Sequence, residues 1–121
     1  MSFVTAIDHV GLAVQDLDKA IAFYQDAFGM ELVHEEVNEE QGVREAMMAV
    51  GDSGSCIQLL APLSDDSPIG KFLARSGEGI QQVAYRVSDI EVAADELREA
   101  GVRMLYEQPK RGTAGLRVNY A

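Results

Sequence analysis

Four side chains in this sequence could hold a metal ion or move a proton: His9, Gln58, Gln82 and Glu45. His9 is one of two histidines and lies in an alternating run, Ile7 to Val14. Gln58 interrupts the apolar run Cys56-Ile57-Gln58-Leu59-Leu60. An amide buried there without a partner costs about 1–3 kcal/mol, so another side chain, a water or a metal must meet it. Gln82 repeats the oddity in Ile80 to Val87. One imidazole nitrogen with amide oxygens suits a borderline-to-hard divalent ion with open positions better than a thiophilic one. Taken singly, each residue also has a plain structural reading, as a hydrogen-bonded polar group on a strand.

Glu45 follows Arg44 in a strand-like stretch, so the two point to opposite faces. Facing a cavity, Glu45 would have its pKa raised by desolvation and could serve as a general base; facing water, it is an ordinary carboxylate. The carboxylates Glu35, Glu36, Glu39 and Glu40 read as solvated charge, and His34 as a surface residue. Cys56 shares strand parity with Gln58 and reads as a small buried residue, with no histidine neighbour in sequence to activate its thiol.

The elements that must position these groups follow from periodicity. Ile7 to Val14 alternates as a strand, with Val10, Leu12 and Val14 on one face and His9 on the other. Asp16 is an N-cap for a helix carrying Leu17, Ala20, Ile21, Tyr24 and Phe28, which Gly29 stops. Strands are expected over Glu31 to Val37, Arg44 to Val50 and Cys56 to Ala61, the last two joined through Gly51-Asp52-Ser53-Gly54. A short helix runs from Pro68 to Ser76. The opening pattern then returns: strand Ile80 to Val87, cap Asp89, helix to Ala100, stop Gly101, strand Val102 to Tyr106, and a last strand within Leu116 to Tyr120.

Laying Ile7 on Ile80 aligns Ile7, Val10, Val14, Asp16, Ala20 and Ala27 with Ile80, Val83, Val87, Asp89, Ala93 and Ala100 without a gap. An internal repeat of this kind governs the fold. The expected class is α+β: one domain over residues 1–121 made of paired βαβββ modules, with a concave mixed sheet and helices outside. Module one covers about 5–63, a linker helix about 67–77, and module two about 79–121. The second module lacks its last strand, and truncation at the C-terminus is the expectation. His9 and Gln82 occupy equivalent positions and would both enter the concavity.

Composition narrows the function classes. A formal net charge of −10 argues against nucleic acid as a partner. No apolar run reaches the ~20 residues that span a bilayer, and Met1 to Thr5 has no export pattern, so no membrane partner and a cytoplasmic location are expected. One cysteine among 121 residues excludes an intrachain disulfide framework. Lys71, Arg75, Lys110, Arg111 and Arg117 are the cations closest together, and each reads equally as a solubilising charge.

Several segments resemble the methylmalonyl-CoA epimerase family of the glyoxalase, bleomycin-resistance and dioxygenase (vicinal oxygen chelate) superfamily. They are Ile7 to Val14, Asn38-Glu39-Glu40-Gln41-Gly42-Val43, Gln58 to Leu63, Gly79 to Val87 and Arg111 to Asn119. The resemblance implies a metal-dependent epimerase of (R)- and (S)-methylmalonyl-CoA, with an acyl-CoA substrate and a homodimeric assembly. It implies a divalent ion, cobalt first and manganese, nickel or zinc as substitutes, held by His9, Gln58 and Gln82. Many members carry histidine at the third position, so Gln82 departs from the pattern and implies altered metal affinity. Glu45 matches the family's cavity glutamate, the base that exchanges the substrate proton through an enediolate. Lys110, Arg111 and Arg117 are candidates for the CoA phosphates. The family's fourth ligand and second base, a glutamate on a final strand, would lie beyond Ala121, which implies weak activity for the chain as it stands. A non-catalytic binding module of the same fold, or a glyoxalase-like enzyme, is the alternative.

Overall fold

The computed structural model describes residues 3–111 and 117–120. It contains β1 (Val4–Ala13), α1 (Leu17–Phe28), β2 (Glu31–Asn38), β3 (Val43–Ala49), β4 (Cys56–Pro62), α2 (Pro68–Ser76), β5 (Gly79–Val87), α3 (Ile90–Glu99) and a short pair, β6 (Lys110–Arg111) with β7 (Arg117–Val118). The five long strands form a mixed open sheet in the order β2-β3-β4-β1-β5, so the fold is α+β and its first part is the expected βαβββ unit. β1 runs parallel to β4, which is possible because α1, β2 and β3 intervene as a crossover. The β2-β3 and β3-β4 pairs are antiparallel hairpins. The chain divides into two compact units, residues 7–84 and residues 1–6 with 85–121.

In the first unit, α1 begins where the Asp16 side chain accepts from the Lys19 N–H, and ends at Gly29, whose φ of 67° is left-handed. Its apolar stripe, Leu17 and Ile21, packs on one face of the sheet over Ala46, Met48, Leu59 and Ala61. Arg44 emerges on that same side, at 3.3 Å from Glu35 and 3.5 Å from Asp18 of α1. A second cluster covers one end of the opposite face, where Ile69 and Leu73 of α2 meet Ala13, Val43 and Leu60. The Ser67 hydroxyl caps α2 by accepting from the Gly70 N–H, with Pro68 in the first turn.

In the second unit, Asp89 accepts from the Glu91 and Val92 N–H groups at the start of α3. The expected strand over Val102 to Tyr106 does not form. Arg98 donates to the Tyr106 and Glu107 carbonyls, and the Asn119 amide bonds both the N–H and the carbonyl of Tyr106. Tyr106 thus has both backbone groups taken by side chains, the Val102 N–H closes onto the Leu97 carbonyl of α3, and the one backbone bond toward β7, from the Leu105 N–H to the Tyr120 carbonyl at 2.7 Å, stands alone and makes no ladder. Of the final strand expected within Leu116 to Tyr120, Leu116 lies outside the described residues and Arg117–Val118 form β7. Among the described residues, no helix is long and apolar enough to cross a membrane.

Candidate functional site

Register decides which side chains meet on the sheet face opposite α1. His9 lies beside Cys56 and Gly11 beside Gln58 on the β1-β4 ladder. Met47 lies beside Gln58 and Glu45 beside Leu60 on the β3-β4 ladder. Residues paired in this way point to one face. His9, Gly11, Cys56, Gln58, Met47 and Glu45 therefore share the face that α2 covers only at its end.

A chain of hydrogen bonds crosses this face. Gln82 of β5 donates from Nε2 to Gln58 Oε1 at 3.0 Å, and Gln58 donates from Nε2 to Glu45 Oε2 at 2.9 Å. An ionised carboxylate only accepts, so Glu45 fixes which end of the Gln58 amide it meets and turns Oε1 toward Gln82. Gln58 is 2% exposed and Glu45 4%. Burial penalises the Glu45 anion while the amide hydrogen from Gln58 favours it. The unpaired-amide problem posed by the sequence is thus solved by two neighbours on adjacent elements.

Gly11 makes the approach of β5 possible. A Cβ at this position would stand 2.7 Å from Gln82 Cγ and 3.2 Å from its Nε2. Only a residue without a side chain lets Gln82 lie across β1 to reach Gln58.

His9 is 14% exposed and its Nδ1 stands 2.8 Å from Asp8 Oδ2. Because the carboxylate accepts, Nδ1 carries the hydrogen, and a neutral His9 keeps its lone pair on Nε2. A carboxylate partner that sets the tautomer in this way is the usual support for a metal-binding histidine. Strand parity hides Asp8, which belongs to the opposite side of β1 yet bends its carboxylate to its neighbour. The acidic residue beside His9 was the available signal.

The donor set fits a divalent ion through its chemistry: a histidine nitrogen held in one tautomer and two amides on the same sheet face. One rearrangement is required, because Gln58 Oε1 accepts from Gln82 Nε2. Turning the Gln82 amide end over would bring two oxygens together, an arrangement stable only with a cation between them. No group of three or more His, Cys, Asp or Glu side chains suited to a metal occurs among the described residues, so amide oxygens are essential to such a site.

The remaining candidates lie elsewhere. Lys110 places its ammonium 4.9 Å from the Tyr106 ring centre, and Arg117 is bound to Glu91 at 2.7 Å. Both belong to the unit of residues 85–121, and the Arg111 side chain lies outside the described part. Cys56 is half-buried on the site face. His34, expected at the surface, is 38% exposed, and β2 aligns it with Met47 and Glu36 with Glu45.

Residues 8–120 match the Glyoxalase/Bleomycin resistance protein/Dioxygenase superfamily. A methylmalonyl-CoA epimerase from Mycobacterium tuberculosis has a crystal structure that superposes with a TM-score of 0.94 at 55% identity, the match covering 98% of this chain and 79% of that one. A variant of Streptomyces coelicolor methylmalonyl-CoA epimerase in complex with 2-nitronate-propionyl-CoA gives a TM-score of 0.91 at 45% identity, covering 96% of this chain and 86% of that one. Bos taurus mitochondrial methylmalonyl-CoA epimerase is 37% identical over 110 residues, which are 90% of this chain and 62% of the bovine protein.

Proposed function

This chain belongs to the methylmalonyl-CoA epimerases of the glyoxalase/bleomycin resistance protein/dioxygenase superfamily, and on that footing we propose that it interconverts (R)- and (S)-methylmalonyl-CoA by moving the proton at C2. The observation that carries the reading at residue level is the hydrogen-bonded chain from half-buried Gln82 through buried Gln58 to buried Glu45. It holds one carboxylate in a fixed direction on a face with few other charges.

In this reading Glu45 is the base. The C2–H bond breaks, a Glu45 O–H bond forms, and the electron pair spreads into the flanking carbonyl groups as an enediolate. Protonation of the other side by water forms the new C2–H bond and inverts the centre, and the proton held by Glu45 neutralises the hydroxide that is left. Gln58 orients Glu45 through its amide hydrogen, and the low exposure of both residues keeps water from competing for the carboxylate. A divalent ion held by His9, Gln58 and Gln82, cobalt by first choice, would supply positive charge where oxygen becomes negative. Lys110 is the cation we assign to CoA phosphates, with Arg111 beside it in sequence; Arg117 already serves Glu91.

The test is deuterium uptake at C2 of methylmalonyl-CoA in heavy water with added cobalt. Uptake is expected for this chain, with a loss of about 10²-fold or more in Glu45→Gln. Equal uptake in the variant would exclude Glu45 as the base. No uptake in either protein, with no cobalt bound, would favour a non-catalytic binding module.

A further inference from the structure

Met47 is an apolar side chain set among polar ones. It is 9% exposed, yet it belongs to neither apolar cluster, the one under α1 nor the one under α2. Strand register explains its surroundings. On β3 it follows Glu45 by two residues and so shares its face. It pairs with Gln58 on the β3-β4 ladder and with His34 on the β2-β3 ladder. Side chains paired in this way have Cβ atoms about 4.5–5.5 Å apart, so Met47 borders both members of the Gln58–Glu45 hydrogen bond.

The other apolar neighbours on this face are already engaged. Leu60, beside Glu45 on β4, packs with Val43 and Ala13 against Ile69 and Leu73 of α2. Half-buried Phe72 closes the edge of that cluster. Gly11 has no side chain, and Gln82 fills the space over it. Among the described residues, Met47 is thus the apolar side chain that borders Glu45 and Gln58 without serving either helix. What it offers is apolar surface beside a polar pair.

A 2-alkylmalonyl thioester makes three demands around C2. Its hydrogen must face a base, its two carbonyl oxygens must face hydrogen-bond donors or positive charge, and its alkyl group must leave water for apolar surface. Glu45 meets the first demand, and His9, Gln58 and Gln82 meet the second. We propose that Met47 meets the third: it receives the alkyl substituent at C2 and sets how large that substituent can be. The proposal rests on the reading that places C2 over Glu45 and Gln58. Contact and volume decide the selection, and it is made when the thioester binds.

The experiment measures, by calorimetry on the full chain with cobalt, the affinities for methylmalonyl-CoA and ethylmalonyl-CoA. Deuterium uptake at C2 is followed beside it in the unaltered protein. In Met47→Ala the ratio of the two affinities moves on the order of tenfold toward the ethyl compound, the usual worth of one methylene in an apolar pocket. Met47→Leu, similar in volume, moves the ratio less. Met47→Val, β-branched and suited to a strand, shifts it in the same direction as Met47→Ala and carries the test if the alanine variant does not fold. An unchanged ratio in the alanine and valine variants overturns the assignment. An equal loss of affinity for both thioesters does the same, since a merely structural role predicts that result. A ratio that moves in Phe72→Ala and not in Met47→Ala also overturns it, and passes the role to α2. Uptake in the unaltered protein with a static ratio sinks the Met47 assignment alone. Neither uptake nor binding of either thioester overturns the epimerase reading and the proposal with it.

Discussion

The two faces of strands β3 and β4 are written by alternate residues of the same segments, and they differ in kind. Toward α1 they present Ala46, Met48, Leu59 and Ala61, all 5% exposed or less, sealed by Leu17 and Ile21. Toward the other side they present Glu45 and Gln58, buried as deeply but joined by a directional bond. The apolar face holds by shape and area, so its members can be exchanged for others of similar volume. The polar face holds only if each partner is present with its donor or acceptor correctly turned. Stability is therefore expected to follow the first face and chemistry the second.

The largest effect that could break this division comes from Leu59→Ala. Leu59 has no exposed surface and lies at the centre of the α1 cluster. Its truncation should cost about 2–5 kcal/mol, read as a lowered urea midpoint with an unchanged slope. Below the transition, cobalt binding should survive. Loss of metal binding in a folded Leu59→Ala protein would mean that the faces are coupled.

Gln58→Leu attacks the other face with little change of volume. It removes the donor to Glu45 and the acceptor for Gln82, and should cost about 1–3 kcal/mol. Here the ratio of effects should reverse, with cobalt binding and C2 exchange lost while the folded fraction stays high. Pairing it with Glu45→Gln in a double-mutant cycle sharpens the comparison. A coupling energy near zero would show that the bond at 2.9 Å does not orient the carboxylate.

How much of this the sequence carried depended on whether the governing force was local. The caps Asp16 and Asp89, Pro68 in a first turn and the stop at Gly29 act within one turn, and the helices form where spacing and these signals indicate, while the Ser67 cap was not read from the sequence. Alternation across β1, β3 and β4 likewise announces two faces. Gln58 betrayed itself because an amide in an apolar run demands a partner, but which partner depends on register, a property of two segments at once. Glu36 and His34 were hidden for that reason, since nothing in their own segment says that β2 aligns them with Glu45 and Met47. The region after α3 failed differently: Asn119 reaches back over 13 residues and takes both backbone groups of Tyr106, and Val102 closes onto α3, so a strand at Val102 to Tyr106 is left with the single bond from Leu105 to Tyr120.

The smallest expected effect is also the most discriminating, because it moves one polar partner without deleting any. In Gly11→Ala the new methyl would stand 2.7 Å from Gln82 Cγ. The atom it meets is in a flexible side chain and the φ of Gly11 is not left-handed, so Gln82 can yield and the cost should be near the low end for overpacking, about 1 kcal/mol. What yields is the contact between Gln82 and Gln58, while the Gln58–Glu45 bond is untouched. If Gln82 helps to hold the ion, cobalt affinity should fall about tenfold, read by calorimetric titration, with the urea midpoint barely lowered. Unchanged affinity with the same small loss of stability would assign Gln82 to support of Gln58 alone and remove it from the ligand set.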